Sequence, residues 1–266
     1  MDMPSQTAVF PWTSDSKATG DFAIQRLTNY LRLALAVNGR LHAETFLVAA
    51  GALAGFAAQY AALTRAAAVC KQTGVVPLPS IVVLSSPTEN WLFGDWINAH
   101  IWNEPGSVLS LFGLVGGAAL TAGMLEESLP KSADIASFVT HSIGGPTFGI
   151  VRAPEQHRPG VEPAAVLTNL WRGWVNIIRS PFAEEDRKYF REPPLKVEHW
   201  PMIASIVAAN ALTTVKNVLE LKLGCALIIE AAVIASKLDP ESIIPRHWSF
   251  EDVPGGGIKI SEAQAH

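Results

Sequence analysis

The chain has 266 residues, 49% of them hydrophobic and 17% charged, with a formal net charge of −4. That length can bury a sizeable core. A negative balance with acids and bases interspersed leaves no electrostatic footprint for nucleic acid and disfavours an anionic membrane surface. The charged share is below the usual quarter, which predicts either a large buried fraction or surface hidden in an oligomer. The richness in alanine favours close helix–helix packing over sheets.

Residues 1–15 contain Pro4, Pro11 and Ser5 with Trp12 as sole anchor, and are read as an irregular arm. They lack a basic stretch followed by an apolar one, so no secretory leader is expected. The domain proper is placed at 16–240. From Ser16 to Val37, apolar residues at Ile24, Leu27, Leu31 and Leu35 form a helical stripe, which Asn38-Gly39 is expected to stop. A second helix is predicted from His42 to Lys71, ended by Thr73-Gly74; the short connection implies an antiparallel helical hairpin.

Ile81-Val82-Val83-Leu84 is β-branched and bounded by Pro79 and by Ser85-Ser86-Pro87, after which Trp91-Leu92-Phe93 resumes the apolar run. The pattern predicts a β-hairpin over about 80–93, with Asp95 capping a helix from Trp96 to Trp102. Ser107–Leu125 reads as a buried helix weakened by glycines, and Ser132 opens a short helix that ends before Gly144-Gly145-Pro146. Phe148–Val151 is read as a short strand and 153–162 as a loop. Pro163 then opens the clearest amphipathic helix: Leu167, Leu170, Trp171, Trp174, Val175 and Ile178 share one face, with Asn169, Arg172 and Asn176 opposite. From Pro201 to Leu238 one helix would be about 57 Å long, too long for a compact domain of this size, so a break is placed near Gly224. Residues 241–266 are read as a loose tail. The expected fold is a mostly α, multi-helix globular domain with one small hairpin.

Two uncharged segments, Phe46–Thr64 and Val108–Leu125, have the length to span a bilayer. Both are diluted with Ala, Gly, Ser and Thr, the first carries Gln59 at its middle, and neither has a flanking basic cluster. They are read as core helices. Cys70 and Cys225, in different apolar stretches without CxxC spacing, are read as buried free thiols in a reducing compartment, so a cytoplasmic protein without cofactor or metal is expected.

Thr140-His141-Ser142-Ile143-Gly144-Gly145 resembles the nucleophile elbow of α/β-hydrolases. The resemblance covers about six residues and implies Ser142 as nucleophile with His199 or His247 as base. Thr140 stands where that motif has its first glycine, and a helix rather than a strand precedes it. Asp95, Asn98 and His100 follow the hairpin beside Trp91 and Trp96, a polar group with an apolar wall. Arg152 and His157 follow the glycine-rich 144–149 segment, where backbone and a basic residue can hold an anion. His42 and Glu44 are two apart, on different helix faces, a poor spacing for a shared metal. Trp200 and Trp248 adjoin His199 and His247 and suit either a pocket or a subunit contact.

No complete catalytic motif results. The reading is a non-enzymatic interaction or apolar-ligand-binding protein that self-associates, with a C2 dimer as the commonest arrangement. An enzyme centred on Ser142 and His141, or on Asp95 and His100, is the alternative, and a membrane-associated helical protein the second.

Overall fold

The structure, a computed structural model, describes residues 17–77, 79–102, 109–181 and 195–244. The expected arm at 1–15, His247, Trp248 and the tail from 245 onward lie outside the described residues.

Helix α1 (Lys17–Leu35) buries Ala23, Leu27 and Leu31. Asn38-Gly39 does more than stop it. Both residues are left-handed, with φ 51° and 73°, and they form the turn between β1 (Ala36–Val37) and β2 (Arg40–Leu41). Asn-Gly is the pair that such two-residue hairpins favour.

Helix α2 (Ala43–Thr73) ends as expected: Gly74 is left-handed and its N–H bonds the Cys70 carbonyl at 2.7 Å. Every residue from Glu44 to Ala62 is buried. A helix apolar on all sides must be enclosed on all sides, and here α6 (Pro163–Arg179), α7 (Trp200–Val215) and α8 (Leu221–Ala235) enclose it. Its length and composition would suffice to cross a membrane, yet 94% of its most apolar window is buried inside the protein. Cys225 is buried, but Cys70 is exposed, because α2 has left the core beyond Ala66.

The closest packing is between α2 and α8. At Gly51 and Gly55 the space a Cβ would need is filled by the backbone of Ile228 and Ala232. The four-residue spacing repeats on both helices, so the pair meets along one seam.

Strands β3 (Val82–Ser85) and β4 (Asn90–Phe93) form the expected hairpin, paired Val82 to Phe93 through Ser85 to Asn90. Asp95 does not cap the next helix, α3 (Asp95–Ile101). Gly94 holds the cap position at φ 136°, and the Asp95 and Trp96 N–H groups bond the carbonyls of Pro79 and Ser80. With main-chain acceptors in place, no side-chain cap is needed.

Helix α4 (Leu111–Thr121) is shorter than the 107–125 segment predicted. The Ser110 hydroxyl oxygen caps it by accepting from the Gly113 N–H at 3.1 Å. Helix α5 (Ser132–Ser142) follows, and 148–151 is irregular rather than a strand. In α6 all six stripe residues are buried, and Asn169, Arg172 and Asn176 are exposed. The break in the long C-terminal segment falls at 216–220, not at Gly224. That glycine lies inside α8, where a Cβ would come within 2.6 Å of the Leu212 side chain and 3.2 Å of Leu47. Packing, not termination, explains it. Helix α9 (Pro240–Ile243) is capped by Asp239, and Ile243 and Ile244 are buried, so the first residues assigned to a tail belong to the core. The fold is mostly α, with β-structure among the described residues limited to two-stranded hairpins.

Candidate functional site

The residues singled out from the sequence fall in separate places. Ser142 is buried at the end of α5 and donates its hydroxyl to the Val139 carbonyl at 2.8 Å. His141 is exposed, with Nδ1 2.7 Å from the Ser137 carbonyl. Hydroxyl and imidazole are therefore engaged by different carbonyls of their own helix. His199 lies beside α7, 3.7 Å from Glu198; burial lowers its pKa, against the raising effect of Glu198.

On α3, Asp95 is exposed and Asn98 half-buried. Trp96 lies under the Arg65 guanidinium, 4.3 Å from ring centre to charge. His100, one turn further, is pushed down to about 4 by burial and by Arg65. It is neutral near pH 7, and its weak basicity suits it poorly to taking up a proton there. Trp91 is buried and packs edge-on against Phe148 at 6.4 Å, so it and Trp96 have different neighbours.

The loop after α5 carries two ties to distant acids that sequence spacing concealed. Arg152 bonds Glu230 of α8 three times: backbone N–H at 2.6 Å, Nε at 2.9 Å and a terminal nitrogen at 2.9 Å. The Glu230 side chain is 2% exposed, and Phe138 stacks on the guanidinium at 3.9 Å. Burial raises the Glu230 pKa, opposed by Arg152. A single acid in the apolar run 224–235 was the available signal, because a buried charge needs a partner.

The second tie joins residues far apart in sequence. His157 Nδ1 lies 2.6 Å from Glu44 Oε1, and His42 Nε2 lies 3.4 Å from Glu44 Oε2. His42 and Glu44 thus do meet, because the N-cap side chain folds back over the first turn of α2. His42 Nδ1 is 2.8 Å from the Thr45 hydroxyl, which also accepts the Gly160 N–H at 2.8 Å. For Glu44, burial raises the pKa, but the His157 bond, the bond to its own backbone and the two imidazoles together outweigh it, leaving a net lowering. The cluster fastens 157–160 to the start of α2 and leaves Nε2 of His157 outside the carboxylate bond. Among the described residues no group of His, Cys, Asp and Glu has the arrangement to hold a metal ion.

The lowered pKa has a stability consequence. A carboxyl with a depressed folded-state pKa contributes stability above its ordinary value, 4.5 here, and loses it as pH falls through the folded value. Glu44→Gln is therefore expected to cost about 1–2 kcal/mol near pH 7. The gap in melting temperature from the parent chain should narrow with acidification below 4.5. Melting curves over that range check it, and a gap that widens in acid would contradict the assignment.

Among the described residues, an apolar strand is one of the surfaces this packing leaves exposed. In β3, Val82, Val83 and Leu84 are 38%, 51% and 50% exposed, although Trp91 and Leu92 opposite them are buried. The hydrogen-bond phase follows from two contacts. Ser86 N–H bonds the Glu89 carbonyl at 2.8 Å, making that pair hydrogen-bonded. Antiparallel pairs alternate, so Leu84 and Val82 also bond β4, while Val83 and Ser85 turn their N–H and C=O groups outward. The other edge agrees: Leu92, opposite Val83, turns its N–H away from β3 and bonds the Lys237 carbonyl at 3.0 Å. The β4 edge is covered at that point, whereas among the described residues no backbone group bonds the outward edge of β3. Natural edge strands usually carry a lysine, proline or bulge; residues 80–86 contain no charge and no proline.

Compared with known proteins, the chain matches no family model, no curated protein and no solved structure.

Proposed function

We propose that this protein acts by association rather than by catalysis, as a closed helical body that presents the β3 edge and works as a homo-oligomer. The observation that carries this reading is the uncharged apolar strand, whose three consecutive residues Val82, Val83 and Leu84 are exposed. Soluble monomers rarely leave an apolar edge free of charge, proline and bulge, and β3 has only its four-residue length to blunt it. Service as a binder of a small apolar ligand has less support. The groove of about 330 Å³ between α1 and α7, lined by Asp21, Ile24, Gln25, Thr28, Asn29 and Asn210, lies open to solvent, whereas small apolar ligands are held in enclosed pockets. The free thiols Cys70 and Cys225 are consistent with a reducing, cytoplasmic setting.

Light scattering on the full chain tests the proposal. A mass twice 28.5 kDa, or a higher multiple, is expected at tens of micromolar, roughly the range in which specific dimers persist. A mass of one chain under those conditions would overturn it.

A second reading, an enzyme, has one observation in its favour. Glu44 bonds Nδ1 of His157, the orientation in which a carboxylate readies Nε2 as a general base. Turnover of a panel of activated esters that disappears in His157→Ala would favour it; no turnover would remove its support.

A further inference from the structure

We infer that the occupant of the β3 edge is a second copy of this chain, paired antiparallel across a twofold axis at Val83, so that two hairpins form one continuous four-stranded sheet. The inference rests on the association reading and specifies its partner and register.

Antiparallel pairing of a strand with an identical strand is twofold by geometry, so each copy offers the other the same surface. Val83 is the residue whose N–H and C=O face outward at the middle of the exposed stretch. Placed opposite Val83 of the second copy, it exchanges reciprocal N–H···O bonds with it. Ser85 then lies opposite Ile81 of the second copy in the next hydrogen-bonded position. Between them Val82 lies opposite Leu84 of the second copy, and Leu84 opposite its Val82. All three exposed apolar residues of β3 thereby gain apolar neighbours, which cross-strand packing rewards. Shifting the axis to Leu84 would instead place Val83 against Ser85.

Charge permits a copy and disfavours a charged partner. Identical chains bring identical charges together, and a charged edge would repel itself. Residues 80–88 carry no charge at all. Glu89, the first acid beyond them, lies in the hairpin loop, so in this register the two Glu89 carboxylates fall at opposite ends of the paired strands. A foreign acidic or basic strand would find no counter-charge within 80–88.

The test compares the parent chain with Val83→Lys by sedimentation. The lysine would meet its own copy at the axis while leaving the bonds of β3 to β4 in place. Like charges set against each other cost several kcal/mol, so the dimer should weaken by more than about a hundredfold. Leu125→Lys, an exposed apolar position on another element, should leave the dimer unchanged. A Val83→Lys chain that dimerises like the parent overturns the inference and leaves the association reading standing. A monomeric parent overturns both. Should Val83→Lys misfold, Val83→Cys in a Cys70→Ser background decides. Hydrogen-bonded antiparallel pairs hold Cα atoms about 5.5 Å apart, within disulfide reach. Diamide should then link two chains through residue 83, and failure to crosslink while the chain is dimeric overturns the register.

Discussion

Gly55→Val is expected to prevent folding, and Gly117→Ala to stabilise slightly. The two glycines differ only in what lies beside them. At Gly55 a Cβ would enter the Ala232 backbone, carbonyl and Cα together, and one turn earlier Gly51 stands in the same relation to Ile228. A flexible side chain could swing aside, but the backbone of α8 cannot move without lifting Leu227, Ile228 and Ala231 out of the core. Overpacking against side chains typically costs about 1–3 kcal/mol; with backbone as the obstacle the loss should exceed that, a large share of the roughly 5–15 kcal/mol that holds a domain folded. Gly117 is on the exposed side of α4, has helical φ, and a Cβ there meets nothing within 4 Å. Removing backbone freedom at such a site gains about 0.4–1 kcal/mol. Circular dichroism melts of the two variants check the contrast, and a cooperative Gly55→Val transition near that of the parent would contradict the α2–α8 seam.

Trp174→Ala carries the second large effect. The indole is fully buried, stacked on Trp171 at 5.0 Å and edge-on to Trp200 at 5.9 Å. Trp200 in turn stacks on Tyr60 at 5.4 Å, and Phe56 meets Trp171 edge-on at 4.8 Å. These rings from α2, α6 and α7 form one packed body, so truncation leaves a cavity that its stiff neighbours cannot fill. The expected cost is about 3–5 kcal/mol, roughly 10 °C or more in melting temperature for a chain of this size. Asn169→Ala, on the exposed face of the same helix, should stay within about 0.5 kcal/mol. Trp174→Phe should lose less than half as much, since the indole N–H it removes has no hydrogen-bond partner. Equal melting temperatures for Trp174→Ala and Asn169→Ala would mean α6 is turned the other way.

The elements legible in the sequence are those whose signals are local. The six-residue stripe of α6, Pro163 at its start, Gly74 after α2 and the Pro-flanked hairpin all depend on periodicity or turn chemistry within a few positions. What was not legible depends on distant partners. Gly224 resembles a break until Leu212 and Leu47 are seen to occupy its missing side chain. Asn38-Gly39 stops a helix and makes a hairpin, and only the pairing of Ala36 with Leu41 distinguishes the two. Arg152 and His157 stand in a Pro-containing loop after a glycine-rich segment, which suggests a structural turn or, less readily, an anion site; in the structure each meets an acid far away in sequence, at Glu230 and Glu44. The β-branched run Val82–Val83 is legible as strand, but an apolar strand is ordinarily a buried one; its exposure comes from the short hairpin ending at β3.

The central claim, that the β3 edge is the functional surface, is tested most directly by amide exchange on the full chain at low and high concentration. Val83 and Ser85, whose N–H groups face outward, should exchange quickly when dilute and become protected as concentration rises, while amides of α8 stay equally protected throughout. Exchange at Val83 and Ser85 that is fast and independent of concentration would contradict it.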